Sequence, residues 1–203
     1  MRLPATAHSA QPWRIHELAF DFRVEDVWEL PTDPDRVAFR AVVGAFTSGD
    51  PEGASSRLSA ALWATRRKLG QVFGWDDPDR GLGVRVPSLR QRLPADLRKT
   101  PGPRFESLPF RSLYLLDEEW AAEIANETVH GVLHLGRVLE PSGRHRDQLA
   151  ILVNPNGVLG EVYLAAIRPF RRLIVYPAMM RRIELASRSS SGADAVADAR
   201  RGV

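Results

Sequence analysis

The run from Trp120 to Pro155 constrains this chain more than any other. It reads WAAEIANETVHGVLHLGRVL, then EPSGRH, then RDQLAILVNP. Two stretches rich in β-branched and aliphatic residues flank a segment of Pro, Ser and Gly, which is turn chemistry. A long strand, a short turn and a further strand closed by NPNG predict antiparallel pairing. Upstream, RFESLPFRSLYLL predicts another strand, bent near Pro109.

Other segments add helices. In WRIHELAFDF (13–22), Ile15, Glu17, Ala19 and Asp21 alternate with His16, Leu18, Phe20 and Phe22, the pattern of a first strand. RVEDVWELP reads as a short helical turn, with Val24, Val27 and Trp28 three and four apart and Pro31 ending it. In DPDRVAFRAVVGAF, Asp33 is the expected N-cap and Pro34 the first helical residue. Residues 56–73 carry the clearest amphipathic helix, with Leu58, Leu62, Leu69 and Phe73 on one stripe. Residues 74–105 form an irregular insertion in which LRQRLPADLR predicts two short helices parted by Pro94. From Val158 to Ala186 a long C-terminal helix is expected, interrupted at Pro169 and Pro177. Residues 1–12 read as an N-terminal arm, 13–186 as a single domain and 187–203 as a disordered tail. The expected class is α+β: a curved antiparallel sheet with two N-terminal helices and a long C-terminal helix.

Composition narrows the function classes. The chain has 203 residues, 44% hydrophobic and 26% charged, the balance of a globular protein. With no cysteine, disulfides and thiolate metal sites are excluded. Net charge is +3, carried by arginines interleaved with acids, so no basic stripe marks a nucleic-acid partner. No apolar stretch is long enough to span a bilayer, and the start lacks the apolar core of a secretory signal. A cytoplasmic protein is expected, without a transmembrane segment; its oligomeric state is open. No nucleophile motif, phosphate loop or dinucleotide fingerprint occurs, and the reading calls for no cofactor.

The chemistry lies in HGVLH, residues 130–134. On a helix, His130 and His134 would be paired metal ligands, but Thr128, Val129, Gly131 and Val132 favour a strand. In a strand they share a face, with alpha carbons roughly 13 Å apart at about 3.3 Å per residue, too far for one metal ion. As one strand, Asn126, Thr128, His130, Val132 and His134 point one way; Glu123, Val129, Leu133 and Leu135 point the other. Either that polar row faces solvent over a core of Val129, Leu133 and Leu135, or it lines a cavity in which an imidazole titrates near neutrality.

Two stretches together, EIANETVHGVLHLGRV and PNGVLGEVYLAAIRPFRRLIVYPAMMRRI, resemble a bacterial family, the domain of unknown function numbered 2867, over roughly residues 10–186. That family is in turn similar to the START-type, or polyketide-cyclase-like, helix-grip proteins. The resemblance implies a curved sheet wrapped around the last helix with an apolar cavity between them, and it brings no established catalytic residues.

Three functions follow as expectations. The first is binding of an apolar, lipid- or polyketide-like small molecule, by Tyr163, Ile167, Phe170 and Ile174 from the helix and by Asn126, Thr128, His130, Val132, His134 and Tyr114 from the sheet. A second is an enzyme of cyclase, dehydratase or isomerase type in the same cavity, with His130 as general acid or base and His134, Asn126, Glu123 or Tyr114 supporting it. The third is an interaction or membrane-surface protein using the basic C-terminal helix.

Overall fold

The computed structural model describes residues 1–35, 37–47, 86–106, 109–125 and 128–170. Among these, six strands form one curled, open sheet, all neighbours antiparallel, accompanied by four helices. The strands are β1 (Arg2–Leu3), β2 (Arg23–Glu29), β3 (Arg111–Leu115), β4 (Glu119–Ala125), β5 (Val129–Leu139) and β6 (His145–Pro155). Their spatial order is β1-β2-β6-β5-β4-β3. The helices are α1 (Thr6–Ser9), α2 (Ile15–Leu18), α3 (Phe39–Thr47) and α4 (Gly157–Phe170).

Both faces of the sheet are covered, so its central strands read as continuous apolar runs rather than alternating ones. Register defines the first face: Glu123, Val132, Leu152 and Val24 lie in one row, and Ala121, His134, Ala150 and Val27 in the next. Onto it pack Ile15 and Leu18 of α2, with Leu89, Leu93 and Leu97 from two 3-10 turns, Leu89–Arg92 and Leu97–Lys99. The second face carries Trp120, Leu135 and Leu149, covered by Phe39, Val42 and Val43 of α3. Burying side chains of this size on two faces contributes roughly 1.5–3 kcal/mol each and holds the layers together.

The antiparallel β5–β6 pair and the two short helical turns on either side of Pro94 match expectation. Four local readings are corrected. Residues 13–22 do not form a strand: Ile15, Leu18 and Ala19 are all buried against the sheet, the spacing of a helical turn, and Phe20 is left exposed. RVEDVWE is strand β2, not a helical turn. A bulge between Val24 and Asp26 inserts one residue, so Val24 and Val27 face the same way at a spacing of three and imitate a helix. The segment 120–138 is a hairpin, β4 and β5, rather than one strand. The helix expected from Pro34 begins at Phe39, and Asp33 instead accepts the backbone N–H of Val37 at 2.8 Å in a turn.

Residues 1–12, read as an arm, lie against the sheet: β1 pairs with β2, and His8 of α1 is fully buried. The final helix is observed as Gly157–Phe170; its expected continuation to Ala186, the helix at 56–73 and the tail from 187 fall outside the described residues. No helix among the described residues is long and apolar enough to cross a membrane.

Candidate functional site

The hairpin changes the chemistry of the first face. With β4 folded back on β5, Glu119 and Glu123 share that face with His130 and His134, although their numbering parity would separate them in a single strand. Each glutamate lies two residues off register from a histidine, the diagonal relation that long side chains span. His130 Nε2 donates to Glu123 Oε2 at 3.0 Å, and His134 Nε2 donates to Glu119 Oε1 at 3.0 Å. All four side chains are buried, His130 at 4% exposure and His134 at 0%. His130 and His134 therefore do not face solvent. The covering layer of α1, α2 and the 3-10 turns turns them into the interior.

Each carboxylate also holds the start of a short helix. Glu119 accepts the backbone N–H groups of Arg14 and Ile15, both at 3.0 Å, which open α2 and have no partner within it. It further accepts the Tyr114 hydroxyl at 2.5 Å. Glu123 accepts the Leu89 N–H at 2.9 Å and the Ser88 hydroxyl, at the start of the first 3-10 turn. Burial pushes the Glu119 carboxyl up, but His134, Tyr114 and the Arg14 amide outweigh it and hold the group at about 2. For Glu123, burial likewise raises, and bonds from His130, Ser88 and Leu89 overcome it, leaving the group below the usual carboxylate range. Burial and the neighbouring Glu119 charge push the Tyr114 phenol well above its ordinary value.

Beyond His134 the network continues. His134 Nδ1 meets His8 Nε2 at 3.1 Å, and His8 Nδ1 meets half-buried His16 Nε2 at 3.3 Å. Burial, followed by the nearby His134 and His16, lowers His8 to about 3. His16 is lowered by burial and by His134. Trp13 lies over this row 5.2 Å from the His134 ring, where Gly136 leaves room: a Cβ there would come within 2.6 Å of the indole.

His130 has a different neighbourhood. The Phe22 ring meets it edge-on at 4.9 Å, and Asn154 is its cross-strand partner. Asn154 in turn reaches Asp21, which is bound by both terminal nitrogens of Arg92 at 2.6 and 3.0 Å; Arg92 stacks over exposed Phe20 at 4.9 Å. The buried imidazole therefore lies beside a partly open rim of aromatic, acidic and basic groups.

Of the residues singled out from sequence, His130, His134, Val132, Glu123 and Tyr114 come together on this face. Thr128 lies at the hairpin loop, where its carbonyl accepts Asn156 N–H at 2.7 Å, and half-buried Tyr163 is on α4. Ile167 and Phe170 fall within α4, while Asn126 and Ile174 lie outside the described residues. The basic positions from Arg171 onward, which carried the interaction and membrane-surface reading, are outside them too. Two clefts among the described residues are lined by neither His130 nor His134. One of about 300 Å³ is lined by Arg2–Ala5 and Glu25–Val27; another of about 320 Å³ lies near Thr32, Arg144 and Asp147. No group of three or more His, Asp or Glu among the described residues is arranged to hold a metal ion.

Sequence reasoning missed Glu119, His8, His16, Ser88 and Trp13. For Glu119 a signal existed: Glu119 and Glu123 are four apart, as are His130 and His134, the matched spacing of two paired strands. His8 lay in a segment without periodicity, and nothing local placed it on the sheet.

Comparison with curated proteins and with solved structures yields no match. A family model described as a protein of unknown function, DUF2867, matches residues 18–178, which include both glutamate–histidine pairs, and the chain belongs to that family.

Proposed function

We propose that the protein binds a small, largely apolar molecule at the end of the first face where His130 lies, with Glu123–His130 as the proton-transferring pair. The observation that carries this reading is the Glu123–His130 bond, buried and fixed by two further donors on the same carboxylate. An ionised carboxylate only accepts, so it selects the imidazole with hydrogen on Nε2 and leaves Nδ1 as the basic nitrogen a ligand would meet. Phe22 and Val132 supply apolar wall, and Asp21 with Arg92 supplies polar orientation at the rim. General acid–base assistance of this kind contributes about 10²- to 10⁴-fold where a proton moves in the transition state. A lipid- or polyketide-like ligand, as in START-type proteins, fits an apolar wall with few polar groups. His134 is not given that role, because both its nitrogens already have partners.

The test is native mass spectrometry of the protein isolated from its own host, followed by imidazole NMR with 8-anilinonaphthalene-1-sulfonate as an apolar probe. A co-purifying organic mass and saturable shifts at His130 are expected. Absence of both, with the fold intact, refutes the site. With the co-purified compound in hand, His130→Gln separates the two forms of the reading: lost turnover with retained binding makes it an enzyme, and binding without turnover in the wild type makes it a carrier.

A further inference from the structure

We infer that His16, His8 and His134 form a single-file proton relay onto Glu119, which accommodates one extra proton and is broken by a second, loosening the hold on the N-terminal segment. The hydrogens along the line are fixed in number by their partners. Glu119 accepts four hydrogen bonds, so the His134 nitrogen facing it must carry hydrogen. The His134–His8 contact at 3.1 Å and the His8–His16 contact at 3.3 Å can each hold one hydrogen and no more. That makes three hydrogens on three imidazoles, all neutral, every one on Nε2. The only remaining position is Nδ1 of half-buried His16.

A proton arriving there shifts the line without moving a heavy atom. His16 passes its Nε2 hydrogen to His8 Nδ1, and His8 passes its own to His134 Nδ1. One N–H bond breaks and one forms at each contact. The result is a His134 imidazolium against the Glu119 carboxylate, with His8 and His16 neutral in the opposite tautomer. Burial disfavours charge on His8 and on His16. A fifth hydrogen has no place in the line. It must separate His8 from one neighbour, and His8 is the side chain of α1 buried in this network.

Among the described residues, few charged or titratable groups face the line. Glu119 comes from β4 and Tyr114 from β3. Arg14, at the start of α2, is engaged by Glu17 at 2.9 Å and by Asp96, beside the second 3-10 turn, at 2.7 Å. Ala150 of β6 lies opposite His134 and contributes no charge.

Imidazole nitrogen NMR on the full chain, from pH 8 to 4, reads each hydrogen. Expected is one titration step in which His134 gains a proton while His8 and His16 exchange Nε2–H for Nδ1–H together. Further acidification should lower amide protection across residues 5–18 at least tenfold more than across β5 and β6, after correction for intrinsic exchange. In His8→Phe, which keeps a ring but no nitrogen, the concerted tautomer exchange at His16 should vanish. Independent titration of the three histidines without tautomer exchange, or an equal loss of protection in all elements, overturns the inference.

Discussion

Replacing Glu119 by Gln tests whether one carboxylate ties the N-terminal segment to the sheet. Its two oxygens accept four donors, three of them converging on Oε1 and one, the Arg14 amide, on Oε2. A glutamine has one acceptor oxygen. Its best placement puts that oxygen at Oε1 and leaves its NH₂ facing the Arg14 N–H, donor against donor. An unsatisfied buried donor costs about 1–3 kcal/mol, and each remaining bond falls from charge-assisted strength to that of a neutral pair, a loss of about 1 kcal/mol. Relief from burying a charge offsets part of this. The net expectation is a loss of about 2–4 kcal/mol, a large share of the roughly 5–15 kcal/mol that holds such a domain together. At a urea dependence of about 2 kcal/mol per M, the unfolding midpoint should fall by about 1–2 M. Glu118→Gln, at the exposed neighbouring position, should stay within about 0.5 kcal/mol of the wild type. Tyr114→Phe should cost less in the Glu119→Gln background than alone, because the two share a bond. An unchanged midpoint in Glu119→Gln, or strict additivity with Tyr114→Phe, would refute the reasoning.

Three other outcomes are expected. His8 is held at about 3 in the folded chain against an ordinary 6.5, so folding excludes a proton that the unfolded chain binds. Stability from this group is complete above pH 6.5 and is lost as pH falls toward 3; depressed Glu119 and Glu123 add a second loss below about pH 4.5. Urea midpoints from pH 8 to 4 should decline through that window, and a flat profile contradicts it. Gly136→Ala drives a methyl into the Trp13 indole and should destabilise by about 1–3 kcal/mol with a changed near-ultraviolet dichroism, whereas Gly143→Ala, where nothing lies near, should leave the Trp13 environment unchanged. Arg137 binds Asp147 through two nitrogens at 2.7 and 3.0 Å, and Asp147 is 1% exposed, so Arg137→Met strands a buried charge and should cost about 3–5 kcal/mol by thermal unfolding.

The strands from Trp120 onward were legible because long runs of Val, Ile, Leu and Ala bounded by turn residues leave few alternatives. The paired helical turns around Pro94 were legible because a proline within a stretch this short lacks the N–H that a continuous helix would need there. Two errors came from a single inserted or reversed residue step. The β2 bulge at Glu25 converted a period of two into an apparent three, and an unnoticed turn near Thr128 inverted the face assigned to Glu123. Sequence separation hid the rest. His8 and His134 are 126 positions apart, Arg14 and Glu119 are 105, and no local pattern encodes such a pairing. His130 and His134 were found as chemistry-bearing residues, but their partners required the hairpin.

The two longest strands, eleven residues each, occupy the middle of the sheet, and the rims are formed by strands of only two and five. The rim strand β1 pairs only with Val27 and Trp28 of β2, so a stranger's strand meets short, interrupted edges rather than one long template. Charged side chains at Arg2, Arg23, Glu25 and Arg111 stand along those margins, and the long apolar strands β5 and β6 stay innermost, each paired on both flanks.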